Sequence, residues 1–255
     1  MRFDPPLARG VLLRRYKRFF VDVRLDDGTE VVAHCPNTGS LLGCLDEGSP
    51  VLLEPAKNPE RKLRWTWKMV KIGRSWVGVD TSIANQLVAD ALQRGAIEEL
   101  GGYERVVPEV KYGREGRSRI DLLLSRGGEP ARRGKGRAAL LSYEGDERAY
   151  VEVKNTTLVE ARDGRRVAAF PDAVTERGRK HLLELADVVE QGHRAAMVFS
   201  IQRSDCECFA PADAIDPEYG TVLRQVMARG VEAYALSARI GPRELRLVKR
   251  LDIVL

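Results

Sequence analysis

A glutamate and a lysine alternate in the stretch YVEVKN at 150–155, and one aspartate interrupts the apolar stretch RSRIDLLLS before it. Phosphodiesters resist attack because they carry negative charge and have a poor leaving group. Carboxylates that hold Mg²⁺ or Mn²⁺ can orient and deprotonate water, and a nearby lysine can stabilise charge on the phosphate. These residue types therefore indicate a metal-dependent phosphodiesterase, with Asp121 and Glu152 as catalytic metal ligands and Lys154 as the catalytic lysine.

Two strands must position these residues. The alternation in 119–124 and 149–154 predicts strands, and it puts Glu152 and Lys154 on the same face of the second one. If these strands pair, Asp121 and Glu152 stand side by side, which is costly unless a cation or a proton lies between them. An inert cluster in which Lys154 neutralises the two acids is the alternative.

A third carboxylate could come from several places. A second Glu-x-Lys occurs at Glu109 and Lys111, but Pro108 precedes it and no earlier strand carries an aspartate at hairpin distance. We therefore treat Glu109 as an outer metal ligand from a neighbouring strand. Asp90 is a further candidate ligand, and Glu99 is another.

The helix predicted over 173–191 carries basic residues on one side. Arg177 and Lys180 lie beside the apolar stripe of a predicted helix and could reach a phosphate, or could simply be solvated. His181 could also reach a phosphate, but we favour its interpretation as a packed residue at the edge of that helix.

The predicted secondary structure changes near residue 80, from strands alone to strands and helices. Residues 1–80 consist of short strands and Gly/Pro/Asn turns, which predict a small OB-like β-barrel. Residues 81–255 show the order α-β-β-β-α-β with additions, which predicts an α/β sheet domain. The predicted elements are strands at 19–25, 30–35, 61–72, 75–79, 106–112, 194–201, 231–237 and 244–255, and helices at 84–94, 173–191 and 217–229. Ser82 and Asp172 are the predicted caps of the first two helices.

Basic and aromatic residues interleave on the predicted barrel. Cations bind phosphates and aromatic rings stack on bases, so these residues are candidate DNA contacts, with a merely solvated surface as the alternative. The candidates are Arg15, Tyr16, Lys17, Arg18, Lys62, Arg64 and Lys68. The charge distribution agrees: residues 1–80 hold 14 Lys/Arg against 10 Asp/Glu, which is +4 of the chain's net +5.

Other classes of protein are disfavoured. The longest apolar runs are too short to span a membrane, and the N-terminus lacks the apolar core of a signal peptide, so we expect a cytoplasmic protein. The four cysteines have no zinc-site spacing. The Gly/Arg-rich segment 126–148 is predicted to be a mobile loop.

Two resemblances extend this interpretation. The order helix, three strands bearing Asp and then Glu-x-Lys, helix, strand resembles the PD-(D/E)XK nuclease superfamily. Six stretches resemble the sugar fermentation stimulation protein A (SfsA) family: RYKRFFVDV, HCPNTGS, EVKYGREGRSRIDLLL, YVEVKNTTL, FPDAVTERGRKHLLEL and IDPEYG. The SfsA resemblance implies an OB-like domain (1–80), a PD-(D/E)XK-like domain (81–255), DNA binding and a regulatory role in sugar use. The segment 126–148 departs from the family pattern.

Three functions remain open at this point. The first is a Mg²⁺-dependent DNA nuclease, and the second is a non-catalytic DNA-binding regulator that keeps a nuclease-like fold. The third is an RNA-directed enzyme, because OB-like modules also accept RNA. The sequence leaves open whether DNA is single- or double-stranded, and whether the protein is a monomer or a homodimer.

Overall fold

The computed structural model describes residues 1–58, 60–113, 118–127 and 147–255. Most of the predicted mobile loop over 126–148 lies outside these residues. No helix in the described ranges is long and apolar enough to cross a membrane.

Five strands near the N-terminus close into a barrel. The strands of this sheet are β1 (Ala8–Tyr16), β2 (Phe20–Leu25), β3 (Glu30–His34), β4 (Pro50–Pro55), β5 (Trp65–Ile72) and β6 (Ser75–Gly78). They follow the order β3-β2-β1-β4-β5-β6, and β3 also pairs with β5, which closes the ring of β1 to β5. Alternating residues such as Val21, Val23 and Trp67 fill the interior and are fully buried. The predicted OB-like barrel is confirmed.

Two details of the barrel differ from the prediction. The strand expected over 61–72 begins only at Trp65. The strand expected over 19–25 begins at Phe20, and Phe19 is 46% exposed because it lies in the turn between β1 and β2. Lys17 and Arg18 in the same turn adopt positive φ angles, so the alternation of β1 does not continue into β2.

The second sheet has nine strands and carries the three helices. Its strands are β7 (Arg105–Tyr112), β8 (Ser118–Arg126), β9 (Glu147–Thr156), β10 (Val159–Arg162), β11 (Arg165–Phe170), β12 (Arg194–Ile201), β13 (Cys208–Pro211), β14 (Glu232–Gly241) and β15 (Glu244–Ile253). The helices are α1 (Ala84–Gln93), α2 (Glu176–Glu190) and α3 (Pro217–Ala228). The strand order is β10-β11-β13-β15-β14-β12-β9-β8-β7, with parallel and antiparallel neighbours. The predicted α/β sheet domain is confirmed.

The caps of two helical segments differ from the prediction. Asp80, rather than Ser82, caps the 3-10 turn that leads into α1, and it accepts a hydrogen bond from the Ser82 backbone amide. Thr175, rather than Asp172, caps α2 by accepting from the Gly178 amide. The strands β1, β4, β10, β11 and β13 were not predicted.

The barrel and the sheet share a hydrophobic core. Leu52 and Met69 of the barrel pack in one cluster with Leu87 of α1 and Val151 of β9. A second cluster lies where α2 and α3 cover the sheet, with Leu182 and residues such as Phe199 fully buried. The two domains are therefore packed against each other by apolar side chains.

Hydrogen bonds also join the two domains. The carboxylate of Asp172, which precedes α2, accepts from the backbone amides of Ser40 at 2.9 Å and Leu41 at 3.3 Å. A Cβ at Gly39 would lie 2.7 Å from Asp172 Oδ2, so only glycine permits this close approach. The barrel loop around residue 39 is thus held against the entrance of α2.

Candidate active site

Strand pairing brings the two predicted carboxylates together. β8 and β9 are antiparallel from Arg126 opposite Glu147 to Leu122 opposite Val151, and Asp121 and Glu152 are the next residues along the two strands, just beyond this pairing. The Val153 amide donates to Asp121 Oδ2 at 2.8 Å. Both acids line a cavity of about 630 Å³. The predicted pairing of these strands is thus present in the structure.

Glu152 is buried and uses only one of its carboxylate oxygens. The side chain is 2% exposed, and Lys154 Nζ donates to its Oε1 at 2.6 Å. His181 Nδ1 contacts the same Oε1 atom. Oε2 is buried and has no hydrogen-bond partner among the described residues. A buried carboxylate oxygen without a partner is costly, so this atom can accept a ligand.

The two acids differ in protonation behaviour. Burial, and then the charge of Glu152, raise the pKa of Asp121 above its ordinary value of 3.8, although it accepts hydrogen bonds from Val153 and from Asn85. Burial also acts to raise the pKa of Glu152, but hydrogen bonding by His181 and the charge of Lys154 overcome it and lower that pKa. A cation beside both carboxylates would relieve the penalty on Asp121.

His181 is packed, as predicted, and it also belongs to the site, because it contacts Glu152 and lines the cavity. Arg177 Nε donates to His181 Nε2 at 3.4 Å, so Nδ1 carries the proton that faces Glu152. His181 follows Gly178 by three residues and precedes Leu185 by four, so helical periodicity puts it on the buried side of α2. A polar residue on that side needs a partner, and this signal could have identified it.

The rim of the cavity is largely cationic. Arg177 and Lys180, the candidate phosphate contacts, are exposed and line the cavity. Lys180 Nζ lies 3.6 Å from the Glu184 carboxylate. Glu109 also lines the cavity and pairs with Arg119 at 3.0 Å. Its φ of +59° is unusual for glutamate and marks local strain in β7. Glu109 therefore lines the same cavity as Asp121 and Glu152, and its role as an outer ligand stays a prediction.

The other two acidic candidates lie elsewhere. Asp90 accepts from Arg94 Nε at 2.9 Å, one turn along α1, and does not line the cavity. Glu99 pairs with Arg250 at 2.5 Å. The prediction of Asp90 as a metal ligand is thus corrected, because α1 presents Asn85, not Asp90, to Asp121. The described residues contain no group of three or more Asp, Glu, His or Cys arranged to hold a metal.

Several of the candidate DNA contacts on the barrel are exposed or lie beside stacked rings. Tyr16 and Phe20 stack with ring centroids 5.4 Å apart, and Arg14 lies over the Tyr16 ring at 5.1 Å. Lys17 and Arg18 are exposed in the adjoining turn. Lys62 and Arg64 are exposed before β5.

Two predicted DNA contacts have structural roles instead. Lys68 is 5% exposed, and its Nζ lies 2.5 Å from Asp80 and 3.2 Å from Glu54, so it does not belong to a solvated stripe. Arg15 donates to backbone carbonyls of the barrel loop, among them that of Asn37 at 2.7 Å. Alternation assigned Lys68 to the outer face, but other parts of the chain cover that face.

Replacing Asp121 with asparagine is expected to raise the melting temperature in metal-free buffer near neutral pH. The substitution removes a buried charge that Glu152 repels, and Asn85 can turn its amide to accept from the new group. Because the folded pKa is raised, the penalty develops as pH rises above the ordinary value of 3.8 and is full above the folded pKa. The stabilisation should therefore shrink on acidification, as followed by thermal melts. A lower melting temperature at neutral pH would contradict this.

The fold and the site together define a class of protein: an OB barrel joined to a mixed-sheet domain with a buried pair of acids. Family models match residues 13–79, described as the SfsA N-terminal OB domain, and residues 82–244, described as the sugar fermentation stimulation protein RE domain. The chain belongs to the sugar fermentation stimulation protein (SfsA) family.

Relatives and a solved structure agree with this assignment. The chain is 50% identical to a sugar fermentation stimulation protein homolog of Geobacter metallireducens, with 100% of both chains covered. It is 48% identical to the homolog of Rhodospirillum rubrum, covering 95% of this chain and 94% of that one. Pyrococcus furiosus SfsA, described in complex with Ca²⁺, has a similar fold with a TM-score of 0.80 at 23% identity, covering 100% of this chain and 98% of that one.

Proposed function

We propose that this protein is a Mg²⁺-dependent phosphodiesterase that cleaves DNA. The observation that carries the proposal is that Asp121 and Glu152, on neighbouring strands, line one cavity, with one carboxylate oxygen of Glu152 buried and unpartnered among the described residues. The PD-(D/E)XK resemblance of the strand order is consistent with the same chemistry.

The residues present suit a divalent cation with oxygen ligands. Asp121 and Glu152 would hold it, since Mg²⁺ and Mn²⁺ prefer carboxylate oxygens and the unpartnered Oε2 needs a positive partner. The bound ion would supply an activated water and neutralise charge on the phosphate. The Ca²⁺ in the description of the Pyrococcus furiosus protein is a cation of the same oxygen-preferring kind.

The surrounding residues each have a defined task. Lys154 lies within reach of both Glu152 and the cavity, so it can donate to a phosphate oxygen. His181 holds Glu152 in place through its Nδ1 proton, which makes it a positioning residue. Arg177 and Lys180 at the rim would bind neighbouring phosphates.

A second candidate function rests on a separate observation. Lys154 and His181 already satisfy one oxygen of Glu152, and the described ranges hold no cluster of three metal-ligating side chains. This arrangement is compatible with a DNA-binding regulator that lacks catalysis and whose acids are merely paired.

Incubation of the wild-type protein with labelled DNA distinguishes the two functions. The proposal predicts cleavage with Mg²⁺ or Mn²⁺ and none with EDTA, whereas the regulator predicts binding without cleavage under all conditions. Matching RNA oligonucleotides in parallel test the RNA-directed alternative. Absence of cleavage with either metal on single-stranded and duplex DNA would contradict the proposal.

Arg18→Ala is expected to weaken DNA binding and to reduce the slope of log affinity against log salt by about one. The reason is that Arg18 is exposed beside the stacked Tyr16 and Phe20 rings, where a phosphate would lie. Fluorescence anisotropy over a range of salt concentrations measures both quantities. Lys249→Ala, which removes an exposed cation from β15 of the other sheet, is the charge-matched control. An equal effect of both variants would mean that the barrel is not a specific DNA surface.

A further inference from the structure

A second cavity of about 260 Å³ lies between the two domains, next to the candidate active site. The barrel contributes residues 37–39, and the end of β9 and the residues after it contribute 155–158. Phe170 lines this cavity and also the cavity of the paired acids. The stretches HCPNTGS and YVEVKNTTL, which are distant in sequence, therefore meet here.

The lining of this interdomain cavity does not suit a phosphate. No lysine or arginine lines it within the described parts of the chain, and one wall carries the carboxylate of Asp172. The remaining lining combines neutral asparagine and threonine side chains with the apolar surfaces of Leu158, Ala169 and Phe170. Neutral hydrogen-bonding groups beside an aromatic ring are what a nucleobase requires.

One buried side-chain oxygen in the lining lacks a partner among the described residues. Thr156 is 1% exposed, and its Oγ1 is buried with no hydrogen-bond partner among the described residues. By contrast, Asn37 in the opposite wall is fully engaged, because it accepts from the Gly39 amide at 2.7 Å and donates to the Val79 carbonyl at 3.1 Å. Asn37 thus shapes the cavity, while the Thr156 hydroxyl can bond to an occupant.

The two cavities are arranged along one strand. Lys154 lines the first cavity and Thr156 the second, and residues of a strand advance by roughly 3.3 Å each. A nucleotide whose phosphate lies at Lys154 therefore has its base, or that of its neighbour, within reach of the second cavity. The volume is just below the range of about 300–1,000 Å³ for drug-sized ligands, which suits a single base.

We propose that the interdomain cavity holds one unpaired base of a DNA strand whose backbone lies at Glu152 and Lys154. The protein therefore acts on single-stranded DNA or on a base flipped out of a duplex. This inference rests on the proposed function, because it takes DNA as the substrate of the neighbouring site.

Thr156→Val tests the inference by binding rather than by cleavage. Valine has the shape of threonine without the hydroxyl, and the hydroxyl has no partner in the described structure, so folding should be unaffected or improved. We expect the variant to bind a short single-stranded oligonucleotide roughly three- to tenfold more weakly than wild type, by anisotropy in Ca²⁺ and in EDTA. Binding of a fully paired duplex of the same sequence should change by less than about twofold.

A matched control and a second variant sharpen the test. Ser200→Ala removes another buried hydroxyl without a described partner, on β12 opposite Asn155, from a residue that does not line the cavity, so binding should be unchanged. Phe170→Leu should weaken single-strand binding, because a base loses its stacking partner. A series of oligonucleotides carries one abasic site, moved along the strand. For the oligonucleotide that lacks the bound base, Thr156→Val and the wild-type protein should have equal affinity.

The outcomes separate this inference from the proposed function. If Thr156→Val and Phe170→Leu bind every oligonucleotide as wild type does while Mg²⁺-dependent cleavage is observed, the base site is wrong and the phosphodiesterase stands. If Thr156→Val weakens single-strand binding but no cleavage occurs, the base site stands and the catalytic proposal is wrong. If no oligonucleotide binds, both are wrong.

Discussion

Glu152→Gln is expected to reduce Mg²⁺-dependent DNA cleavage by at least about a hundredfold, with DNA affinity within about twofold of wild type. Glutamine has the size of glutamate and can still accept from His181 or Lys154, but it lacks the negative charge that a cation requires. Affinity should be retained because Glu152 is only 2% exposed and lies below the cationic rim. Single-turnover cleavage of a labelled strand, with anisotropy on the same substrate, separates the two quantities.

Glu99→Gln is the matched control for this experiment. Glu99 is an acid that the sequence offered as a metal ligand, but the structure pairs it with Arg250 and places it outside the cavity. Its cleavage rate should equal that of wild type. Undiminished cleavage by Glu152→Gln would place the chemistry elsewhere. If the wild-type protein does not cleave DNA and Glu152→Gln is less stable than wild type, the ion-paired alternative is favoured.

Lys68→Met is expected to lower the free energy of unfolding by about 3 kcal/mol. Methionine keeps the packing of the lysine stem but removes the ammonium group that lies 2.5 Å from Asp80 Oδ2. Asp80 is 2% exposed and would keep only the hydrogen bonds from Ser82. An uncompensated buried carboxylate costs several kcal/mol, and chemical denaturation measures the loss.

Two controls separate the loss of the Lys68–Asp80 pair from the general effect of removing a lysine charge on stability. Lys71→Met, on the same strand but only partly buried, should change stability by less than about 0.5 kcal/mol. The double variant Lys68→Met/Asp80→Asn should recover part of the loss, because no unpaired charge remains. If Lys68→Met were as stable as Lys71→Met, the buried pair would contribute little to the free energy of unfolding.

The sequence predicted most of the fold because its signals are local. Alternation in β2 and β9, the glycine and asparagine turns, and the stripe of α2 each depend on residues close in the chain. The strands β1 and β4 were missed because apolar residues follow one another in them, as in VLL, without strict alternation, and β10 and β13 were missed because four residues carry little periodicity. The caps at Asp80 and Thr175 differ from the predicted ones by a few residues, since several neighbouring side chains could cap the same turn.

The site was only partly predictable, for a different reason. A lone aspartate in an apolar strand and a Glu-x-Lys on another strand are visible in sequence, and pairing brings Asp121 to Glu152. The roles of His181 and Lys68 depend on partners that only the tertiary structure supplies, across 29 and 12 residues. The interdomain cavity likewise exists only because loops from the two domains meet.

Calorimetric titration of Mn²⁺ into the metal-free protein tests the central claim, that Asp121 and Glu152 form a metal site. The account predicts heat of binding for the wild-type protein, none for Asp121→Asn/Glu152→Gln, and wild-type behaviour for Glu99→Gln. Equal binding by the wild type and the double variant would contradict it. So would absence of binding by the wild-type protein both alone and with DNA present.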